Sequence, residues 1–218
     1  MSSPSLVEAQ RFIRANTRVA PVKGLAPIRL WQADELTPIW QATQDDLEAG
    51  NIAPPFWAFA WAGGQGVARY LREHPETVAG KRVLDLASGS GLAAIAAMLA
   101  GAETALANDI DPMCEAAIAL NAELNGVEIG FIGGDLLAGA TPDVDVILAG
   151  DVFYEQEMAA RFHAFLLEAR LAGVDVLMGD PGRAYVPRAG LELVGEYRVE
   201  TSIEIENATT KTARVWRL

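Results

Sequence analysis

Apolar and polar positions set up a regular rhythm from Lys81 onward, where short apolar runs alternate with longer helix-like stretches. Arg82–Ala87 reads as a strand and Gly91–Ala100 as a helix rich in Ala and Leu. Thr104–Asn108 is a second strand. Asp111–Asn125 is a second helix, with Asp111 as its N-cap, Pro112 at the first helical position and Gly126 just past its end. Val127–Ile132 and the almost wholly apolar Val144–Ala149 follow as strands three and four. Gln156–Leu171 is amphipathic and stops before Gly173, after which Val174–Met178 is the fifth strand. Apolar strands separated by helices need crossover connections, which predicts a parallel sheet covered on both faces.

The tail breaks this rhythm. Leu191–Ile205 and Thr210–Arg217 are extended stretches with no helix between them, joined by Asn207-Ala208-Thr209, and predict an antiparallel hairpin at one edge. The fold class is therefore α/β, with seven strands, five parallel and two in the hairpin. Residues 81–218 form this sheet domain. Residues 1–80 are less regular, interrupted by Pro21, Pro27, Pro38, Pro54 and Pro55. Helices are expected there near Ser5–Asn16, Pro38–Ala49 and from about Gly66 to Glu73. Ser5-Leu-Val-Glu8 reads as a capping box for the first. The segment is expected to be a helical extension packed on the sheet and its site, making one structural unit with it.

Composition narrows the function. The chain has 218 residues, long enough for one substantial domain, and is 51% apolar and 21% charged, as soluble globular proteins are. Its formal net charge of −12 disfavours a nucleic-acid partner, whose phosphates need cations. The same field would draw in a basic protein or cationic substrate, or simply keep the surface solvated. Cys114 is the single cysteine and His74 and His163 lie far apart, so neither a disulfide nor a metal centre is expected. No apolar run approaches the roughly 20 residues of a membrane span. Arg11, Arg14 and Arg18 give the N-terminus a faint presequence character, but the capping box favours an ordinary helix.

The chemistry is concentrated in Val83–Ala100, VLDLASGSGLAAIAAMLA. Gly89-Ser90-Gly91-Leu92-Ala93-Ala94 fits a dinucleotide fingerprint, with Asp109 about 20 residues on. Such a turn can also bind nothing. Asp85, four residues before Gly89, separates the cofactors. A fixed carboxylate would repel a pyrophosphate, whereas S-adenosylmethionine (SAM) brings an ammonium and a positively charged sulfur. Asp109 at the end of strand two could accept both ribose hydroxyls, and Asp135 after strand three the adenine amino group. Glycines 89 and 91 would let the backbone approach closely. Ligands gather at the carboxyl ends of parallel strands, and three acids stand there in succession.

Strand four leads into Gly150-Asp151-Val152-Phe153-Tyr154-Glu155. A carboxylate and a phenol there could orient an amine whose proton leaves to water; the residues alone equally allow a helix cap at Asp151 and a buried aromatic.

VLDLASGSGLAAIAA with NDIDP resembles the SAM-binding motifs of the seven-β-strand methyltransferases, with Ala87 where many members carry a glycine. Asp151-Val-Phe-Tyr154 resembles the D-x-x-Y motif of a protein lysine methyltransferase group in that class. Phe56-Trp57-Ala-Phe59-Ala-Trp61-Ala-Gly63-Gly64-Gln65 looks like the group's W-x-G-G stretch, with Ala62 where Pro is usual. Phe12-Ile-Arg-Ala-Asn16-Thr17, Pro27-Ile-Arg-Leu30, Thr37-Pro38-Ile-Trp40 and Gly179-Asp-Pro-Gly-Arg183 resemble the electron-transfer flavoprotein β-subunit lysine methyltransferase branch.

The resemblance implies a Rossmann-like methyltransferase sheet and SAM-dependent N-methylation of lysines on the flavoprotein β subunit. Asp151 and Tyr154 would be catalytic, and Trp61 would pack against the cofactor beside Asp85, Gly89, Gly91, Asp109 and Asp135. Trp57 and Trp61 also suit an aromatic core. Gly179–Arg183 would be a substrate-side loop or a plain turn. The expected partner is a protein substrate, with no nucleic acid and no membrane, for a monomer in the bacterial cytoplasm or, in a eukaryote, the mitochondrial matrix. A small-molecule amine or another protein such as a ribosomal protein is the alternative acceptor. A non-catalytic SAM-binding partner protein and an NAD oxidoreductase are further alternatives.

Overall fold

The computed structural model of the chain describes residues 4–33, 55–187, 189–201 and 208–218. The expected helix at Pro38–Ala49, the Thr37–Trp40 motif and residues 202–207 of the hairpin lie outside the described residues.

Seven strands form one sheet. In chain order they are β3 (Arg82–Leu86), β4 (Thr104–Asp109), β5 (Gly130–Gly133), β6 (Val146–Gly150), β7 (Asp175–Asp180), β8 (Glu192–Glu200) and β9 (Thr210–Arg217). Their spatial order is β5-β4-β3-β6-β7-β9-β8. The first five are parallel, and β9 runs antiparallel to both β7 and β8. This is the sheet expected from the sequence.

Alternation along the strands divides the core. Val83, Val146, Leu148 and Leu177 face one side, with Val67 and Leu71 of α2 (Ala62–Glu73) and Ile95 of α3 (Leu92–Leu99). Leu84, Leu86, Ile147 and Met178 face the other, against Phe162, Phe165 and Leu166 of α5 (Gln156–Leu171). The period of two is what a sheet buried on both faces requires.

β5, β6 and β7 start later than the apolar runs suggest, β5 and β7 because the end of the preceding helix takes up the first N–H group. Gly126 closes α4 (Pro112–Asn125) in the left-handed conformation, and the N–H of Val127 is spent on Ala122 O (3.1 Å), so β5 begins only at Gly130. Gly173 repeats this after α5, where Val174 N–H bonds Ala169 O (3.1 Å) and β7 begins at Asp175. At its other end β7 runs on through Gly179 and Asp180, so this part of the Gly179–Arg183 stretch is strand rather than loop.

The N-terminal segment holds a capped helix, α1 (Leu6–Asn16), with the capping box at Ser5 and Glu8. It also holds a hairpin that the prolines hide in the sequence, β1 (Arg18–Pro21) against β2 (Arg29–Gln32). Ala9 and Ile13 of α1 pack with Ala116 and Leu120 of α4. Two asparagines of α4 fasten β2. Asn121 Oδ1 accepts Trp31 N–H (2.8 Å), and Asn125 accepts Arg29 N–H (3.0 Å) while donating to Arg29 O (2.6 Å). Asn121 Nδ2 also donates to Ser90 O (2.8 Å), tying the N-terminal hairpin to the glycine turn.

Helix α2 starts at Ala62, one turn before the expected Gly66. Gly63 and Gly64 stand in its first turn, where the N–H groups have no partner within the helix. Their partner is Asp151, at the end of β6.

Candidate active site

The turn after β3 folds around two carboxylates. Ala87, Gly89 and Gly91 take φ values of +53°, +55° and +82°, all left-handed. At Gly91 a Cβ would lie 3.2 Å from Ile118 Cγ1, so glycine also permits the close packing of the turn on α4. Asp85 is buried, and its Oδ2 accepts from Ser88 Oγ (2.5 Å) and Ala94 N (3.0 Å), joining the strand end to the first turn of α3. Desolvation pushes the Asp85 carboxyl up to about 6, against the pull of those two hydrogen bonds. Asp109, at the end of β4, accepts Gly89 N–H (2.9 Å) on one oxygen and Asp111 N–H (3.0 Å) on the other. Asp135 accepts Leu137 N–H (3.1 Å) and an ion pair from Arg161 (2.6 Å).

These groups meet at one cavity of about 570 Å³, within the size range of small-molecule sites. It lies at the carboxyl ends of β3, β4 and β6 and reaches from the glycine turn to Tyr154. Among its described lining residues are five carboxylates (Asp85, Asp109, Asp111, Asp135 and Asp151) against one guanidinium, Arg183. That charge suits a cationic ligand and opposes a pyrophosphate. The acids, Gly89 and the aromatic residues of the cavity thus fit SAM better than a dinucleotide. The expected site residues Trp61, Asp85, Gly89, Asp109, Asp135, Asp151 and Tyr154 all line it. Gly91 stands behind the wall, as the left-handed N-cap of α3.

At the far end, Asp151 is buried with φ +61°. Its Oδ2 accepts Gly63 N–H (2.5 Å) and Gly64 N–H (3.1 Å), and its Oδ1 accepts Arg183 Nη2 (2.7 Å) and Nε (3.2 Å). Asp151 therefore caps α2 rather than α5, whose N-cap is Glu155. Burial raises the Asp151 carboxyl, with Arg183 and the backbone donors opposing. The approach of α2 depends on glycines: a Cβ on Gly63 would stand 2.2 Å from Gly179 O, and one on Gly150 2.8 Å from Gly64 N.

Tyr154 is 53% exposed, so it belongs to the cavity mouth and not to the core. Its ring lies 5.8 Å from that of Phe56, which lies 5.5 Å from that of Trp61. Trp61 donates Nε1–H to Phe56 O (2.9 Å), and the Arg183 guanidinium stands 5.9 Å from its ring centre. The two tryptophans divide the roles open to them in the sequence: Trp57 is core, 2% exposed, and Trp61 is cavity wall.

Phe56 and Arg183 also line the cavity; the sequence reading held them only as part of the W-x-G-G stretch and of a substrate-side loop or turn. The signal for Arg183 was in Asp180-Pro-Gly-Arg183, whose spacing allows the first carboxylate to accept two backbone N–H groups and turn the arginine back.

The chain is similar to known methyltransferases. Residues 70–152 match the family Ribosomal protein L11 methyltransferase (PrmA). Over 99% of its length the chain is 36% identical to the electron transfer flavoprotein beta subunit lysine methyltransferase of Danio rerio, covering 85% of that protein. The Homo sapiens protein of the same name is 36% identical over 96% of this chain and 81% of its own length. In structure the chain resembles TrmN from Thermus thermophilus, with a TM-score of 0.51 and 25% identity over 68% of this chain and 47% of that one.

Proposed function

Because the chain belongs to the electron transfer flavoprotein beta subunit lysine methyltransferase family, we propose that it N-methylates lysine side chains of an electron transfer flavoprotein β subunit. It is a methyltransferase, and SAM is its methyl donor. The observation that carries the reading is that one cavity holds both the carboxylates around the glycine turn and the Asp151–Tyr154 end.

The cofactor residues divide by position. Gly89 presents its backbone, Asp109 accepts the ribose hydroxyls, and Asp135 stands where an adenine amino group would be met. Asp85 and Trp61 flank the cationic end, with Gly91 keeping the turn against α4. When bound, SAM supplies an electrophilic methyl group on a positively charged sulfur.

The chain's own residues prepare the acceptor. Free lysine titrates near ~10.4, so its amine must be neutral before it can attack. Walls made by Phe56, Trp61 and Tyr154 desolvate the amine and favour that neutral form. Burial, helped by Asp109 and Glu155, raises the Tyr154 hydroxyl above its ordinary value. It stays protonated at neutral pH and can orient the amine by hydrogen bonding. The proton leaves to water at the half-exposed mouth. Asp151, whose oxygens are already engaged, fixes the chain from which Tyr154 projects and adds negative charge beneath the amine. Methyl transfer is an in-line displacement, so positioning supplies most of the rate. A net charge of −12 suits a lysine-rich target surface.

The test is incubation with labelled SAM and recombinant flavoprotein β subunit, followed by intact mass and peptide mapping. Methyl groups on lysines of that subunit are expected. Label found only in low-molecular-weight material, or on other proteins with the β subunit unlabelled, would overturn the proposed substrate.

A further inference from the structure

At the ends of β6 and β7 two buried carboxylates share one arginine. Asp151 is 8% exposed and Asp180 only 1%. Asp180 Oδ1 accepts the N–H groups of Gly182 and Arg183, both at 2.6 Å, which folds the chain back on itself with Gly182 at φ +96°. Asp180 Oδ2 is buried without a hydrogen-bond partner among the described residues. From this turn the Arg183 side chain reaches Asp151 through both Nη2 and Nε, 32 positions earlier. Both bonds go to Oδ1, which leaves Oδ2 to the N–H groups of Gly63 and Gly64.

As a stabilising device this is poor. A buried ion pair gains little over a well-packed apolar substitute, and a second buried carboxylate with an unpaired oxygen makes it worse. As a positioning device it is economical. The carboxylate of Asp151 has two oxygens to satisfy, and Arg183 on one of them fixes the rotation that turns the other towards α2. Tyr154 lies three residues further along the same segment, on the wall that Trp61 and Phe56 share with Arg183.

We propose that Arg183 is a positioning residue for the acceptor end of the site. Pinned by Asp180, it holds the Asp151 carboxylate in the rotation that caps α2, and so sets the segment that presents Tyr154. The relay runs from Asp180 to Arg183 to Asp151 to the amides of Gly63 and Gly64. What Tyr154 is presented to rests on the lysine methyltransferase reading; the relay itself does not.

The test uses the full chain with Arg183→Gln, Arg183→Lys, Asp180→Asn and the Asp180→Asn/Arg183→Gln double variant. With recombinant flavoprotein β subunit and SAM, Arg183→Gln is expected to lower kcat by about tenfold or more, with KM for the protein changed by less than about threefold. Arg183→Lys keeps the charge without the fork and is expected to restore kcat to within about threefold of the parent. Because Asp180 acts through Arg183, the double variant is expected to be no worse than Arg183→Gln alone.

Hydrogen exchange, measured without any substrate, is expected to speed up at the Gly63 and Gly64 amides in Arg183→Gln, and less so in Asp180→Asn. If Arg183→Gln does not fold, Asp180→Asn supplies the exchange readout, with Arg183→Lys as the variant expected to stay near the parent. Unchanged exchange at Gly63 and Gly64, parental kcat in Arg183→Gln, or additive losses in the double variant would each overturn the proposal. A parent protein that leaves the β subunit unlabelled, while exchange responds as expected, would remove the substrate reading and leave the relay standing.

Discussion

Asp151 Oδ2 lies 2.5 Å from the amide nitrogen of Gly63, a residue 88 positions earlier in the chain. One contact thereby joins the W-x-G-G stretch to the D-x-x-Y segment and brings the start of α2 against the ends of β6 and β7. It also explains why glycine stands at Gly63: a Cβ there would meet Gly179 O at 2.2 Å and Asp151 Oδ2 at 2.6 Å. Among the described residues Gly64 has only Leu92 Cδ2 near, at 3.9 Å. Gly63→Ala should therefore cost about 1–3 kcal/mol, the usual penalty of overpacking. Gly64→Ala should be neutral or stabilise by up to about 1 kcal/mol through helix propensity. Thermal unfolding of the pair checks this, and equal Tm values would refute it.

Asp151 carries structure and, in the proposed mechanism, function as well. Asp151→Ala leaves two helix N–H groups without their acceptor and breaks the ion pair to the partly exposed Arg183 guanidinium, which should cost about 2–4 kcal/mol. Asp151→Asn keeps an acceptor and tolerates the left-handed φ of +61°, so it should fold better while still lacking the charge. For Asp151→Asn, assayed well below its Tm, turnover should fall by about 100-fold or more, with SAM affinity within about threefold of the parent. Turnover near the parent value would remove Asp151 from the mechanism.

The pH dependence of cofactor binding should report Asp85. Burial raises its carboxyl to about 6, so in the free protein the charged form is lost as pH falls through about 6. The stability linked to this group is fully present below its unfolded value and is lost as pH rises through about 6. A cationic cofactor needs the carboxylate. Its affinity should hold above about pH 6 and fall below it, by at most about tenfold per unit. Asp180 is raised to about 6 as well, so the assignment needs a control. Asp85→Asn should flatten the profile measured by calorimetry with SAM; an unchanged profile would assign the titration elsewhere.

Asp109 holds the glycine turn through Gly89 N–H and, in the proposed complex, the ribose hydroxyls. Losing charge-assisted hydrogen bonds of this kind costs about 1.5–3 kcal/mol each, so Asp109→Ala should weaken SAM by about tenfold or more. Equal affinity in the two proteins would sink the assignment.

The sheet and its carboxylates were legible in the sequence because each depends on local pattern. A strand that carries Asp85 near its end, a turn with Gly89 and Gly91, and Asp109 at the close of a second strand lie within 25 residues. The β1–β2 hairpin was not, because prolines broke its alternation and its partner surface, Asn121 and Asn125, lies some 90 residues away. The role of Gly63 was hidden for the same reason. A glycine pair reads as a helix breaker until the capping carboxylate is known, and that carboxylate comes from the end of β6, 88 positions later in the chain. Arg183 could be seen as part of a turn, but nothing local says that its side chain points back to Asp151.

Ala87 makes the last prediction. It holds φ +53° in the turn after β3, a conformation that costs a residue with a Cβ roughly 1–2 kcal/mol. Glycine would relieve this strain but add entropy to the unfolded chain, worth about 0.4–1 kcal/mol. The strain is the larger of the two, so Ala87→Gly should raise stability by about 0.5–1 kcal/mol. The neighbours of Ala87 in the cavity wall, Asp85 and Gly89, keep their positions, so SAM affinity should stay within about twofold of the parent. Denaturant unfolding reads the first expectation and calorimetry the second. A destabilised Ala87→Gly protein would mean that packing of the Ala87 methyl against Leu86 and its neighbours outweighs the backbone strain.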